Sequence, residues 1–413
     1  MNSRPIKLAL VTRRYPPLIG GAEKVLSYLA WALAAEGAEV TVITSRMPGS
    51  KFADRAEAPV EPIKNGAATG QVAPGRLSVV RLATSRLRFW GTWSYMRNLR
   101  RWFQQNSVDL AYVSMLKHDA YVVVGAGERL GFPVVLRPEG AGATGDLAWQ
   151  SWGNFGRSIG LACRRANAFV SISNSIEQEL QKAWHSGTMR PSGSVQISRQ
   201  TPETPRIVSI PNGVPVPESS WQSRPGWQAA PRAVFVGRLA PEKGLDTLIA
   251  AWPMVRFRFP EAQLILIGKG PERAALVGQA RRLGLTLGPG QAVELPGSLA
   301  DSSHSLRRAD LFVLPSREEG MSIALLEAMA LGIPLIASSI PGNQRLVNDV
   351  EHGRLVPPDD PDSLAHAILE QWDDHARAIQ MGLAARSRVD REFSIQAVAR
   401  QHLALFHDLV KHH

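Results

Sequence analysis

Short apolar runs alternate with longer segments of helical periodicity along most of this chain. The run Lys7–Thr12 precedes a predicted helix over Ala22–Glu36, and the run Glu39–Thr44 follows that helix. Gly37 lies between the helix and the second run, at a place where glycine commonly ends a helix. Strands that alternate with helices indicate parallel sheets, because each parallel pair of strands needs a crossover connection. The chain is therefore predicted to be an α/β protein.

The alternation occurs in two series, separated by a stretch rich in proline and serine. The first series continues with strands predicted at Asp109–Val113, Pro133–Leu136 and Phe169–Ile172. With 413 residues the chain has room for two domains with full cores. We expect a first domain over 1–214, a linker over 215–230, a second domain over 231–393 and a helical tail over 394–413. The strands predicted for the second domain are Ala233–Val236, Gln263–Ile267, Ala292–Leu295, Leu311–Leu314 and Leu335–Ala337.

An acidic segment, Glu319–Glu327, surrounds the predicted start of an apolar helix. Amide groups at a helix N-terminus bind phosphate readily. Helical side chains lean toward the N-terminus, so Glu327 is expected to point toward Glu319. Carboxylates in that position can accept hydrogen bonds from sugar hydroxyls. The segment therefore predicts a site for a phosphorylated sugar or a nucleotide sugar, formed by Glu319, Gly320, Met321, Ser322, Ile323 and Glu327.

A basic turn, Gly237–Gly244, directly follows the predicted strand Ala233–Val236. It carries Arg238 and Lys243, and a guanidinium fork beside a lysine ammonium suits a diphosphate. By itself, each of the two motifs fits a capped helix or a charged turn equally well. Their occurrence together, in this order, favours the nucleotide-sugar interpretation.

Near the start of the chain, Gly20 and Gly21 precede the first predicted helix. Without a Cβ, their backbone can approach a phosphate closely, although a simple strand-to-helix turn would look the same. The pattern lacks G-x-G-x-x-G, so hydride-transfer chemistry is not indicated.

These motifs, in their order along the chain, resemble the signature of the retaining glycosyltransferases of family 4 (group 1 glycosyltransferases), which have the GT-B fold. The resemblance covers nearly the whole chain and includes Tyr15–Glu23, Ile210–Val214 and Arg308–Ser316. It implies two Rossmann-like, doubly wound domains that face each other across a cleft. It also implies that the C-terminal helix crosses back to the first domain.

The resemblance assigns roles to the candidate residues. Arg238 and Lys243 would hold the donor diphosphate and stabilise the charge of the leaving group. Glu327 would bind the ribose hydroxyls, and Glu319 would contact the transferred sugar. Gly21 would close over the diphosphate from the other domain. The predicted reaction is transfer of a sugar, with retention, from a nucleotide-diphosphate sugar to a hydroxyl of a glycan or lipid-linked acceptor.

The chain departs from the family pattern where many members carry a histidine after the strand that corresponds to Pro133–Leu136. Here Glu139 occupies the loop. Glu139 is a candidate contact for the donor sugar or the acceptor, and a plain solvated loop acid fits equally well. His118 is a weaker candidate for the same role, because an isolated histidine is usually structural.

Neither a resident cofactor nor a metal is expected. Asp360 and Asp362 have D-x-D spacing, but they follow Pro357-Pro358 and precede an amphipathic segment, which predicts a helix N-cap. Two other functions remain open: a non-catalytic sugar-nucleotide-binding or scaffold protein that kept the fold, and another GT-B enzyme such as a sugar-nucleotide epimerase or a phosphorylase.

The charge of the chain is strongly basic, with a net charge of +11 and a pI of about 10.2. The excess concentrates in the aromatic segment 86–103, where Phe89, Trp93, Met96 and Phe103 approximate one helical face. Such a helix suits an anionic membrane surface, and packing in the core fits equally well. Binding of nucleic acid is not expected, because the site motifs predict a sugar nucleotide.

A single cysteine, Cys163, cannot form an internal disulfide, which favours a reducing compartment. We therefore expect a cytoplasmic enzyme, which would lie peripherally on the inner face of a membrane if the segment 86–103 binds lipid rather than packing in the core. Such a location fits the assembly of a surface polysaccharide or a glycolipid.

Overall fold

The computed structural model describes residues 4–16, 20–46, 76–85, 88–140, 142, 145–151, 153–185, 206–299 and 302–413. The described chain divides into two compact units. The first unit contains the residues up to Gly213 together with Ile395–His413, and the second contains Val214–Ser394.

The first unit is built around a parallel sheet. Its described strands are β1 Lys7–Val11, β2 Glu39–Ser45, β3 Leu77–Leu82, β4 Leu110–Ser114, β5 Val134–Arg137, β6 Ala168–Ser171 and β7 Ile207–Ser209. They lie in the order β3-β2-β1-β4-β5-β6-β7. Val11, in the centre, pairs with Ile43 on one side and Val113 on the other. Its described helices are α1 Gly21–Ala35, α2 Arg88–Gln105, α3 His118–Leu130, α4 Asp146–Gln150, α5 Gly153–Cys163 and α6 Asn174–His185.

The second unit repeats this plan on a smaller scale. Its described strands are β8 Arg232–Val236, β9 Gln263–Ile267, β10 Val293–Gly297, β11 Leu311–Leu314, β12 Leu335–Ser338 and β13 Arg354–Val356. They form a parallel sheet in the order β10-β9-β8-β11-β12-β13. The described helices are α7 Leu245–Arg258, α8 Arg273–Arg282, α9 Ser303–Arg307, α10 Ile323–Leu331, α11 Pro341–Gln344, α12 Pro361–Asp373 and α13 His375–Arg388.

The last helix, α14 Ile395–Lys411, packs on α1 and β4 of the first unit. Its His402 is buried beneath the sheet, where the Tyr112 hydroxyl lies 3.2 Å from Nε2 and the Val398 carbonyl lies 2.9 Å from Nδ1. The Nδ1–H therefore donates to Val398, and Nε2 accepts from Tyr112. Burial lowers the pKa of His402 to about 4, which keeps the ring neutral.

The cores of both units follow from apolar runs that are covered on both faces. Ala9, Leu10 and Val11 of β1 are almost completely buried, as are Leu311, Phe312 and Val313 of β11. Central parallel strands read as continuous apolar runs for this reason. The prediction of two doubly wound α/β domains is confirmed. Three of the described strands were not predicted from the sequence: β3, β7 and β13.

The predicted apolar face of the basic aromatic segment is wrong. In α2, Tyr95, Leu99 and Phe103 enter the core, whereas Trp93 is 53% exposed. The buried residues recur every four positions and form one stripe, and Trp93 lies off that stripe. Met96 packs only partly against the core. Arg86 and the side chain of Phe89 lie outside the described part of the chain.

Across the described residues, no helix combines the length and the apolar character that are needed to cross a bilayer.

Candidate functional site

The basic turn after β8 is held against the loop after β9. The Gly237 amide donates to the Ile267 carbonyl at 3.0 Å, and the Leu239 amide donates to the Lys269 carbonyl at 3.0 Å. Gly268 has a φ of +154°, and a Cβ added there would lie 1.7 Å from the Gly237 carbonyl oxygen. A larger residue would push the two loops apart, so glycine is required by both conformation and space.

The acidic segment begins in the loop between β11 and α10. The Ser338 hydroxyl donates to the Ser316 carbonyl, and the side-chain amide of Asn343 donates to the Ser338 carbonyl at 2.9 Å. A Cβ added to Gly342 would lie 2.2 Å from the Glu319 carbonyl oxygen. Ser338, at the end of β12, and the residues that follow it therefore pack against this loop and fix the position of Glu319.

The structure brings the basic turn and the acidic segment into direct contact. Lys243 Nζ lies 2.7 Å from Glu319 Oε1, and the Ser316 hydroxyl donates to the same oxygen at 2.9 Å. The Lys243 and Glu319 side chains are only 18% and 10% exposed. The pair is thus largely shielded from solvent, and it brings two residues that are 76 positions apart in the sequence into one site.

Arg317 makes a second connection between the same two segments, and sequence reasoning missed it. Its guanidinium donates to Asp246 at 2.7 Å, to Asp359 at 2.6 Å and to the Pro241 carbonyl at 2.6 Å. The hydrogen bond that Arg317 donates to Asp246, supported by the one to Asp359, raises the pKa of Arg317 further above its usual value. The only signal that could have identified Arg317 as a site residue is its position after a buried strand and opposite a basic turn.

The helix α10 follows Ser322, whose hydroxyl accepts from the Leu325 amide at 3.3 Å. Met321 and Ser322 are buried, Gly320 is exposed, and Ile323 is half-buried at the first position of the helix. Leu326 and Ala330 lie in the core, and most other residues of the helix are buried too. Glu327 is half-buried in the second turn.

Arg238, the other predicted diphosphate ligand, is exposed at the end of β8. Its guanidinium forms no hydrogen bond or ion pair with the residues that the structure describes. Lys269, across the loop contact, is exposed as well. This edge of the sheet therefore presents two solvent-facing cations beside the Lys243–Glu319 pair, an arrangement that suits an anionic ligand.

Gly20 and Gly21 lie at the start of α1 in the first unit. Gly20 is the N-cap in an extended conformation, and a Cβ added there would lie 2.1 Å from Glu23 Oε2. That oxygen is at the far end of a flexible side chain, so the Glu23 carboxylate can move aside for a Cβ. Since the backbone is also extended, the fold does not require glycine at position 20.

Glu139 is not a solvated loop acid. Ser114 and Arg137 donate to its Oε1, and its own amide donates to Asp146 at 3.0 Å. Its side chain is 14% exposed. Burial raises the pKa of Glu139, and Arg137 opposes this effect. The carboxylate is fixed at the carboxyl end of β5, because Arg137 also binds Asn212 at 2.6 Å.

His118 begins α3, just beyond β4, and its ring contacts Trp149 and Phe155. It is half-buried rather than sealed in the core.

The predicted N-cap at Asp360 is confirmed: its side chain accepts from the Ser363 amide at 2.9 Å. Within the described ranges, no group of three or more His, Cys, Asp or Glu residues is placed to hold a metal ion.

Comparison with known proteins gives two family models that match the chain. The model described as Glycosyltransferase Family 4 matches residues 19–188, and the model described as Glycosyl transferases group 1 matches residues 230–374. The two matches fall in the first and the second unit, respectively.

Among curated proteins, the chain is 34% identical over 214 residues to the GDP-mannose-dependent monoacylated alpha-(1-6)-phosphatidylinositol monomannoside mannosyltransferase of Corynebacterium glutamicum. This alignment covers 49% of the chain and 51% of that protein, so it spans about half of the relative's length. The chain is also 28% identical to a glycogen synthase of Mycobacterium tuberculosis, over 95% of the chain and 92% of that protein.

Among solved structures, sucrose-phosphate synthase from Thermosynechococcus elongatus superposes with a TM-score of 0.75 and 22% sequence identity, over 100% of both chains. At that identity the likeness establishes the fold, and the GT-B expectation is confirmed.

Proposed function

The chain belongs to the family 4 glycosyltransferases, and we propose that it transfers a sugar from a nucleotide-diphosphate sugar to an acceptor hydroxyl with retention. The observation that carries this proposal is the Lys243–Glu319 ion pair of 2.7 Å. It joins the basic turn and the acidic segment, which are separate in the sequence, in one site on the second unit.

In the proposed donor complex, Arg238 and Lys243 hold the diphosphate. Glu319 accepts hydrogen bonds from the transferred sugar. The backbone amides of Gly320, Met321, Ser322 and Ile323 donate to sugar hydroxyls or phosphate. Glu327 accepts hydrogen bonds from the ribose. Because Glu319 pairs with Lys243, it also orients the ammonium group toward the phosphate oxygens.

During the proposed reaction, the bond between the anomeric carbon and the phosphate oxygen breaks, and a bond from the anomeric carbon to the acceptor oxygen forms. The acceptor hydroxyl proton passes to the departing phosphate. Arg238 and Lys243 stabilise the negative charge that develops on that phosphate. These two cations take the place of a metal, so we propose that transfer tolerates a chelator such as EDTA.

A donor panel tests this proposal. Purified enzyme is given UDP-glucose, GDP-mannose and ADP-glucose in turn, with a cell-membrane extract as the source of acceptor, and released nucleoside diphosphate is measured. We expect release from one donor, with loss of about 100-fold in Lys243→Ala. Arg258→Ala, which breaks the exposed Arg258–Asp373 pair, is the matched control and is expected to behave as wild type. A non-catalytic scaffold would release none.

We further propose that the outer face of α2 binds an anionic membrane surface. Trp90 and Trp93 are 57% and 53% exposed, and their rings meet edge to face at 5.7 Å. Arg97 lies over Trp93 at 5.6 Å, and Arg100 and Arg101 are exposed nearby. The opposite face of α2 is anchored in the core by Tyr95 and Leu99. Exposed tryptophans beside arginines suit the headgroup region of a bilayer.

This surface would serve an acceptor carried on a lipid, and the mannosyltransferase relative is named for a monoacylated phosphatidylinositol monomannoside. Sedimentation with vesicles of phosphatidylglycerol and phosphatidylcholine tests it. We expect Trp90→Ser with Trp93→Ser to weaken binding at low salt at least tenfold, whereas Phe257→Ser, at an exposed site in the second unit, leaves it unchanged. Equal sedimentation of the double variant and wild type would overturn the membrane proposal.

A further inference from the structure

The turn after β4 has a strained backbone. Met115 lies in the left-handed region with a φ of +74°, an uncommon conformation for a residue other than glycine. Its amide donates to the Arg137 carbonyl at 2.9 Å, and the next carbonyl, that of Leu116, accepts from Gln150 at 2.7 Å. These bonds hold the turn in place and direct His118, at the start of α3, beyond the carboxyl end of the strand.

Around His118, aromatic rings from three helices form a cluster that is open to solvent. The His118 ring lies 5.3 Å from Trp149 of α4 and 5.2 Å from Phe155 of α5. Tyr121, one helical turn along α3, lies 6.1 Å from Phe155. Phe155 is 50% exposed, so a flat apolar ring stays in contact with water next to a polar heterocycle. We name His118, Trp149 and Phe155 the aromatic box.

The imidazole of His118 is available for hydrogen bonds to a ligand. Within the ranges that the structure describes, neither ring nitrogen has a hydrogen-bond partner. Burial, followed by the charges of Arg13 and Lys117, lowers the pKa of His118 to about 4. The ring is therefore neutral at neutral pH and offers one N–H donor and one acceptor nitrogen.

The charges beside the aromatic box are already paired. Arg13 lies 3.7 Å from Asp119, and Lys117 lies 3.7 Å from Asp146. Lys117 also lies 5.7 Å from the centre of the Trp149 ring. Because each cation has a carboxylate partner, the box provides aromatic faces and neutral hydrogen-bonding groups rather than an unbalanced charge. A neutral ligand suits it better than a free anion.

We propose that the aromatic box binds a neutral pyranose ring of the acceptor, with the sugar stacked on Phe155 and its hydroxyls bonded to His118. One face of a pyranose exposes C–H groups of slight positive charge, which complement the negative face of an aromatic ring. Its hydroxyls both donate and accept hydrogen bonds, as the neutral imidazole does. The box lies beyond the carboxyl end of β4, where ligands of doubly wound sheets bind. This inference rests on the proposed glycosyltransferase function.

Saturation-transfer NMR on the full chain tests the inference. The probes are the methyl α-pyranosides of glucose, mannose, galactose and N-acetylglucosamine. The variants are His118→Ala, Phe155→Leu, which keeps apolar volume but removes the flat ring, and Phe155→Trp, which restores a flat ring. Phe257→Ala is the matched control, because Phe257 is 92% exposed on α7 of the second unit. The nucleotide affinity of every variant is also measured, by titration with UDP, GDP and ADP.

We expect at least one glycoside to bind wild type and Phe155→Trp, and to bind His118→Ala and Phe155→Leu at least tenfold more weakly. Phe257→Ala should bind it normally, and nucleotide affinity should be the same in all variants. Unchanged glycoside affinity in both box variants, or no glycoside bound while a nucleotide binds, would overturn the inference and leave the proposed function standing. Loss of phosphatidylglycerol vesicle binding in Phe155→Leu, with glycoside binding intact, would assign the box to the membrane instead. If no nucleotide binds wild type, the proposed function itself fails.

Discussion

The two units share one plan and differ at the carboxyl ends of their strands. In the second unit, this edge is polar and presents Arg238 and Lys269 to solvent beside the Lys243–Glu319 pair. In the first unit, the same edge carries buried or half-buried groups. Glu139 is shielded among Ser114, Arg137 and Asp146, and His118 lies between aromatic rings.

The difference matches the ligands that we assign to each unit. A nucleotide sugar brings two phosphates, so its site needs exposed positive charge and backbone that approaches closely. An acceptor glycan brings hydroxyls and flat apolar faces, so its site needs shielded hydrogen-bonding groups and aromatic rings. One architecture thus supports two kinds of recognition, because function resides in the residues at the strand ends.

The largest effect that we predict comes from the close loop contact in the second unit. Gly268→Ala should destabilise that unit by about 4 kcal/mol, because the new Cβ meets the Gly237 carbonyl and the φ of +154° is unfavourable for alanine. The control in the first unit is Gly131→Ala, at a φ of +73° with open space around the Cβ, and it should cost about 1 kcal/mol. Hydrogen exchange measured on peptides of each unit separates the two. Equal losses of stability in the two variants would mean that the close contact between Gly268 and Gly237 does not hold the loops of the second unit together.

A smaller effect, of about 3 kcal/mol, concerns the response of the first unit to acid. His402 is neutral in the fold down to its pKa of about 4, but it takes up a proton near pH 6.5 when unfolded. The unfolded state therefore binds more protons between these values, so stability is lost as the pH falls from about 6.5 to about 4.

His402→Gln removes this titration, and the variant should lose about 3 kcal/mol less than wild type over that pH interval. Hydrogen exchange of peptides that span β4, measured at pH 6.5 and pH 4, reports the difference. Parallel acid dependence in the two proteins would place the acid-sensitive group elsewhere.

The smallest predicted effect concerns Glu139. It tests whether the first unit contributes to transfer without contributing to nucleotide binding. Glu139→Gln keeps the shape of the side chain but removes its charge next to Arg137. We expect transfer to slow about tenfold, a loss of about 1.4 kcal/mol, while nucleotide affinity is unchanged. Steady-state kinetics with the accepted donor, together with nucleotide titration, measure both quantities. A loss of nucleotide affinity in this variant would contradict the assignment of nucleotide binding to the second unit.

Much of the fold could be predicted from the sequence, because continuous apolar runs such as Leu311–Leu314 are buried as central strands. The strands β3, β7 and β13 were missed, since they lie at sheet edges, where the apolar signal is weak. Similarly, the sequence indicated a helix over much of segment 86–103 but misplaced its buried face. Tyr95 and Leu99 were not predicted to be core residues, although their four-residue spacing with Phe103 places all three on one buried face of the helix.

The candidate site was predicted as separate motifs rather than as a geometry. Lys243 and Glu319 were each named, but their ion pair depends on the order of the strands, which one sequence does not display. Arg317 looks like an ordinary charged loop residue until Asp246 and Asp359 are seen on either side of it. The burial of Glu139 likewise depends on Ser114 and Arg137, which come from two different strands.

The most direct test of the central claim is calorimetric titration of wild type, Lys243→Ala and Glu327→Ala with UDP, GDP, ADP and TDP. Arg258→Ala serves as the control for loss of a surface charge. We predict that one nucleotide binds wild type and Arg258→Ala equally. Its affinity should fall about 10- to 100-fold in each of the two site variants, because each loses a hydrogen bond that involves a charged group. Absence of binding by all four nucleotides, or equal affinity in all four proteins, would contradict a donor site built around the Lys243–Glu319 pair.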